Sequence, residues 1–150
     1  MNRFMIVVNP DKDTDSTVTN RIQSYLEAHG AACMVRDVFH LESSDWEALK
    51  KEQFDCVLVL GGDGTLLRMA GETEDIDIPL FGINLGTVGF LTEGEVANIE
   101  EILDRLLTDD FTIEERMMVS GTVTKAGGTT YRKSALNDIV ISLAGFSRLI

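Results

Sequence analysis

An α/β fold is what this sequence predicts: a parallel sheet flanked by helices over residues 1–110, followed by the start of a β-rich second domain over 111–150. Three observations carry that expectation. Short apolar runs alternate with helix-period stretches up to about residue 110, the signature of strand–helix–strand units packed as layers. Turn-forming and glycine-rich segments follow the apolar runs. Beyond residue 110, short β-type runs succeed one another with no helical pattern between them.

The elements follow in order. Residues 4–8 are uniformly apolar and read as one buried strand, closed by the turn that begins Asn9-Pro10. A helix is expected over 15–29: Val18, Ile22, Tyr25 and Leu26 share one helical face, and Gly30 supplies the stop. A second strand over 32–38 is mixed in polarity and so belongs nearer an edge. Ser43 or Ser44 caps a short helix reaching about Lys51, with Trp46 and Leu49 facing inward. A third strand covers 55–60 and runs into Gly61-Gly62-Asp63-Gly64-Thr65, after which a helix reaches about Glu72. An acidic loop over 72–77 leads to a fourth strand at 78–84, whose Pro79 belongs at its start or on an edge. A second glycine-bearing loop spans 85–93. Then Val96, Ile99, Ile102, Leu103, Leu106 and Leu107 form an amphipathic stripe that ends near 108–110. Strands are expected over 111–113, 118–124, 129–133 and 136–142, with a hairpin turn at Lys125-Ala126-Gly127-Gly128. The last residues, Arg148-Leu149-Ile150, are strand-like and would leave an uncovered edge, so the chain reads as a fragment of a longer protein.

Ligands of open parallel sheets bind beyond the carboxyl ends of the strands. Asn9-Pro10, the turn at 61–65 and the loop at 84–93 all follow strands, so they should converge on one edge. The turn at 61–65 is the best candidate site. Glycine lets a backbone take unusual φ values and come close to a ligand, and a helix N-terminus offers unpaired N–H groups to phosphate. Asp63 looks misplaced beside phosphate unless it handles a proton or a metal ion there. The plainer reading is a tight turn with a helix-capping aspartate. Convergence of the three loops favours the functional reading.

Composition narrows the partners. The chain has 150 residues, 44% of them hydrophobic, with 13 Lys+Arg against 25 Asp+Glu and a net charge of -12. That balance lacks the basic clusters of a nucleic-acid surface and of a polybasic membrane contact. It does not exclude nucleotides, whose phosphates can be held by backbone N–H groups. Cys33 and Cys56 sit in separate apolar runs and read as reduced, buried thiols. No run approaches transmembrane length. A cytoplasmic protein with small-molecule nucleotide partners, no nucleic acid, no membrane partner and a homo-oligomeric state is expected.

Gly61-Gly62-Asp63-Gly64-Thr65 resembles the signature shared by NAD kinases, diacylglycerol and sphingosine kinases, and 6-phosphofructokinases. Three further stretches are similar to NAD kinases in particular: residues 82–92, Glu115-Arg116-Met117-Met118, and Ala135-Leu136-Asn137-Asp138-Ile139-Val140-Ile141. The closing Ser147-Arg148-Leu149-Ile150 fits too, so the resemblance spans nearly the whole chain. It implies transfer of the γ-phosphoryl group of ATP to the 2′-hydroxyl of the adenosine ribose of NAD, giving NADP. It implies an N-terminal α/β nucleotide-binding domain (1–110) and a C-terminal β-rich NAD-binding domain begun at 111–150, with the site between them. Asp63 would be the catalytic carboxylate. Gly61, Gly62, Gly64 and Thr65 would shape the ATP phosphate site, and Arg68, by its own place one helical turn further on, is expected to bind ATP phosphates as well. Asp63, Gly64, Phe90, Asn137 and Asp138 would bind NAD. Many members carry Glu where this chain has Asp138, which keeps the acceptor but shortens its reach by a methylene. Family members also continue past Ile150 with a Gly/Ser/Thr-rich NAD-binding stretch.

Mg2+ is expected to arrive with ATP, and no protein-only metal site is expected. Lys12, like Arg68, is a candidate to neutralise phosphates, with plain surface charge the competing explanation. His29 and His40 have no assigned chemistry. A lipid kinase of diacylglycerol type is the alternative, disfavoured by the acidic balance. An inactive nucleotide-binding fragment is the other.

Overall fold

Strand β1 (Arg3–Val8) and helix α1 (Thr17–Ala28) open a chain of alternating elements. They are followed by β2 (Ala32–Asp37), α2 (Ser43–Lys51), β3 (Cys56–Gly61), α3 (Asp63–Glu72) and β4 (Leu80–Asn84). A two-residue strand β5 (Gly94–Glu95), a 3-10 turn (Val96–Asn98) and α4 (Ile99–Leu107) complete the series. The structure is a computed structural model that describes residues 1–51, 53–86 and 89–141. Thr87 and Val88 of the glycine-bearing loop, residue 142 of the expected last strand, and Ser147-Arg148-Leu149-Ile150 lie outside the described residues. The chain divides into a first unit, Met1–Glu114, and a second that starts at Glu115.

In the first unit the five strands form one parallel sheet in the order β2-β1-β3-β4-β5. The expected α/β class with a parallel sheet is therefore the observed one. Side chains alternate across a strand, and the core splits accordingly. Phe4, Ile6, Leu58, Leu60 and Ile83 pack against Ile22 and Leu26 of α1 and Leu103 and Leu106 of α4. Met5, Val7, Val57 and Val59 pack on the other face against Leu49 of α2 and Leu66 and Met69 of α3. Strand β3 is buried along its whole length, which explains why it reads as an unbroken apolar run rather than an alternating one.

Two boundaries moved for local reasons. Helix α1 starts at Thr17, two residues later than expected, because Asp15 and Asp13 both lie ahead of it and accept from the N–H groups of its first turn, Asp15 Oδ1 from Thr17 N at 3.1 Å. The buried Asp13 carboxylate accepts from Val18 N at 3.1 Å, Thr19 N at 2.8 Å and Thr19 Oγ1 at 2.5 Å. The stop at Gly30 is a left-handed residue, φ 84°. Strand β4 begins after Pro79, which has no N–H to donate, although its carbonyl accepts from Val57 N at 2.9 Å. Strand β5 had no sequence signal, since a glycine and a glutamate carry no β pattern. It is defined only by pairing with Ile83 and Asn84.

The second unit contains an antiparallel hairpin of β6 (Val119–Thr124) and β7 (Thr130–Ala135). Its turn closes with Lys125 N donating to Thr129 O at 2.9 Å and Gly128 N to Lys125 O at 2.8 Å. Two expected strands are not strands. Residues 111–113 pair with no strand among the described residues. Residues 136–141 form a bend and an irregular segment. The reason in the second case is packing: Ile139 sits over Gly121 so closely that a Cβ there would come within 2.8 Å of Ile139 Cδ1. Stacking on the hairpin replaces pairing at its edge.

Candidate active site at the carboxyl edge of the sheet

The chain leaves β1 for α1 on one face of the sheet and leaves β3 for α3 on the other. The carboxyl ends of these neighbouring strands thus form the point where the winding direction reverses, the usual crevice for a nucleotide on such a sheet. The loops after β1, β3 and β4 meet there. Asn9 N donates to Leu60 O at 2.8 Å, and Leu85 N to Gly61 O at 3.0 Å. Asn9 Nδ2 reaches Thr65 Oγ1 at 3.4 Å. Asn9 therefore ties the β1 loop to the glycine turn, a role that sequence reading missed.

Asp63 is the first residue of α3, and Gly62 rather than Asp63 is its N-cap. The carboxylate does not cap its own helix. It turns instead to the loop after β4. Oδ2 accepts from Phe90 N at 2.8 Å, and Oδ1 accepts from Leu91 N at 3.1 Å and Thr92 N at 3.3 Å. These donors, Phe90 N first, then Leu91 N and Thr92 N, hold the Asp63 carboxyl below its ordinary range against the opposing effect of burial. Asp63 is thus an anion at neutral pH, fixed in direction by main-chain donors from a segment 27 or more residues away.

The glycines around it divide by what surrounds them. A Cβ at Gly61 would sit 2.7 Å from Thr65 Cβ, and one at Gly89 would overlap the Asp63 carboxylate. A Cβ at Gly62 or Gly64 would meet nothing within 4 Å. Among the described glycines only Gly30 and Gly128 have positive φ. The glycines of the 61–65 turn therefore serve space rather than backbone handedness, and those at 62 and 64 leave open a surface where a ligand can approach the main chain.

The remaining expected site residues are placed as follows. Thr65 is buried, with its hydroxyl toward Asn9. The Phe90 side chain is 100% exposed, beside the Asp63 carboxylate that its own N–H holds. The Arg68 guanidinium lies 5.7 Å from the centroid of the Phe39 ring. Asn137 and Asp138 are exposed in the second unit, Asn137 in a bend and Asp138 in the irregular segment after it, not at the head of a strand as the sequence suggests. On the α1–α4 side a cleft of about 310 Å³ is lined by Lys12, Val18, Asn84, Leu85, Glu95 and Val96 among others.

Gly89, Leu91 and Thr92 are the site residues that the residue types alone did not reveal. The signal that points to them is the run 82–92, whose resemblance had been noted as a stretch without its contact to Asp63. Among the described residues no three His, Cys, Asp or Glu side chains cluster so as to hold a metal ion. The Asp63 oxygens already accept from N–H donors, so the fixed part of this site does not fit a protein-held metal. The two thiols are pushed up by burial, Cys33 to about 11 and Cys56 to about 12.

The sequence profile of the ATP-NAD kinase N-terminal domain matches residues 4–111. The chain belongs to the NAD kinase family. An NAD kinase from Lachnoclostridium phytofermentans is 41% identical over 100% of this chain and 54% of its own length. One from Lachnospira eligens is 38% identical over 100% of this chain and 53% of its own. The chain thus spans about half the length of the curated relatives it matches. Yeast NADH kinase, solved in complex with NADH, superposes with a TM-score of 0.69 at 14% identity, covering 91% of this chain and 47% of that one. At that identity the superposition speaks to the fold. No helix among the described residues is long and apolar enough to cross a membrane.

Proposed function

We propose that the protein to which this chain belongs transfers the γ-phosphoryl group of ATP to the 2′-hydroxyl of the adenosine ribose of NAD, forming NADP and ADP. The observation that carries the reading is the fixed, ionised Asp63 carboxylate at the carboxyl edge of the sheet, between the open backbone of Gly62 and Gly64 and the exposed ring of Phe90. Family membership supports the same reaction.

The chemistry follows from the state of that carboxylate. The 2′-oxygen must form a bond to the γ-phosphorus as the bond to the ADP oxygen breaks, and it must lose its proton. A loose transition state asks mainly for alignment and charge stabilisation. Asp63 accepts a hydrogen bond from the 2′-hydroxyl and aims its oxygen in line. With its pKa lowered by the loop amides and by the positive end of α3, Asp63 is a weak base, so it takes the proton late, once P–O bonding has made the hydroxyl acidic. Gly61, Gly62, Gly64, Thr65 and Arg68 serve the phosphates, and Phe90, Gly64, Asn137 and Asp138 serve NAD. Magnesium enters bound to ATP and neutralises phosphate charge there.

The reading places the protein in the cytoplasm, consistent with two reduced thiols, and as a homo-oligomer, which light scattering on the full-length protein would read. The deciding experiment supplies full-length protein with Mg-ATP and NAD and detects NADP with an NADP-specific dehydrogenase. Absence of NADP, with phosphate instead incorporated into diacylglycerol vesicles, would replace this reading by the lipid-kinase one.

A further inference from the structure

Helix α3 carries a guanidinium, Arg68, that forms no close ion pair among the described residues, although its charge, after the Phe39 N–H and His40, acts on the Asp37 carboxylate. Arg21, Arg36 and Arg105 each pair with an acid, Glu100, Asp45 and Asp110 respectively. Arg68 makes no such ion pair among the described residues and rests over Phe39, whose side chain is 47% exposed. Phe39 is held out in a fixed turn. Asp37 at the end of β2 accepts from Phe39 N at 2.8 Å through Oδ1 and contacts His40 Nδ1 at 2.7 Å through Oδ2.

The sheet register sets this aromatic–cation pair relative to the glycine turn. Val8 of β1 is the partner of both Asp37 in β2 and Leu60 in β3. Two strand spacings separate Asp37 from Leu60, about 10 Å. Phe39 and Gly62 each follow two residues later on the same edge of the sheet. Along α3, Gly64 and Arg68 are four residues apart, hence on one helix face and about 6 Å apart along the axis. Both are exposed. Open backbone, guanidinium and aromatic ring thus form a track of the length and chemistry of a nucleotide: anion sites at one end and a stacking surface at the other.

We propose that Phe39 and Arg68 form the outer half of the phosphoryl-donor subsite, where the base of a nucleoside triphosphate stacks on Phe39 and Arg68 binds its phosphates. The inference rests on the kinase reading above and deepens it by giving the donor's base a position. The acceptor then approaches Asp63 from the Phe90 side.

The test measures affinities of the full-length protein for Mg-ATP, for magnesium tripolyphosphate, which has no base, and for NAD. Loss of a stacking surface weakens nucleotide binding by roughly tenfold. Phe39→Ala is expected to weaken Mg-ATP by that factor and to leave tripolyphosphate and NAD unchanged, which also shows that the variant is folded. Phe39→Trp retains Mg-ATP binding. Arg68→Gln weakens Mg-ATP and tripolyphosphate alike. Unchanged Mg-ATP affinity in Phe39→Ala overturns the subsite, as does a parallel loss of Mg-ATP and NAD. The two readings fail separately. Wild-type protein that binds Mg-ATP through Phe39 but forms no NADP removes the kinase reading alone. Wild-type protein that forms NADP with donor affinity indifferent to Phe39 removes the subsite alone.

Discussion

Gly61 and Gly64 lie three residues apart in one turn, yet their surroundings are opposite. A side chain at Gly61 would drive into Thr65, while one at Gly64 would meet open space. Gly89 resembles Gly61, since its missing Cβ is the room that the Asp63 carboxylate occupies, and Gly62 resembles Gly64. The difference separates two uses of the same residue. Gly61 and Gly89 let the protein pack against itself and aim its carboxylate. Gly62 and Gly64 satisfy no internal packing demand, so the constraint on them comes from whatever binds.

Substitutions at these positions test that division, beginning with the group they surround. Asp63→Asn is expected to cut NADP formation by the full-length protein by about 10²–10⁴-fold, with NAD affinity little changed by titration. Turnover within a fewfold of wild type would remove Asp63 from the reaction. Gly89→Ala should lower kcat by roughly 10²-fold, the scale of a carboxylate misplaced by about an ångström, with a smaller change in KM. If kcat held, the loop would be packing only. Gly61→Ala, which overpacks against Thr65, should cost about 1–3 kcal/mol in urea unfolding. Gly64→Ala should be the reverse. Its unfolding free energy stays within about 0.5 kcal/mol of wild type or rises, because alanine is the better helix former, while Mg-ATP affinity falls. A Gly64→Ala protein that is destabilised but binds normally would erase the contrast.

The smallest effect concerns pH. The pKa of Asp63 is lowered, so its hold on the loop is present above the unfolded carboxyl value, about 4, and is lost as pH falls through the lower folded value. Hydrogen-exchange protection factors at Phe90, Leu91 and Thr92 should be flat from pH 7 to about 5 and fall only below about 4. Protection that fades already between pH 7 and 5 would show that something other than the ionised carboxylate holds these amides.

Much of the first unit was legible in advance because its signals are local. Val57, Leu58, Val59 and Leu60 form a run that suits a strand buried on both faces. Ile99, Leu103 and Leu106 recur at the helical period and are the residues α4 buries. Pattern was a weaker guide beyond residue 110. Ile139, Val140 and Ile141 have β-type composition, but Ile139 found a place on Gly121 instead of a partner strand. A β pattern marks a segment fit to pair and does not supply the partner.

The sequence by itself determined the α/β class, the run of strands and helices through α4 apart from β5, and the glycine turn with Asp63 at its centre, because periodicity and turn chemistry act over a few residues. Only the tertiary structure decided what Asp63 does with its charge. Read locally, it was a candidate helix cap. In the fold it is the acceptor for Phe90, Leu91 and Thr92, because the parallel pairing of Gly61 with Asn84 brings the loop after β4 over the start of α3. Hydrogen bonds between distant segments depend on strand order and register, and no local pattern in the chain encodes them.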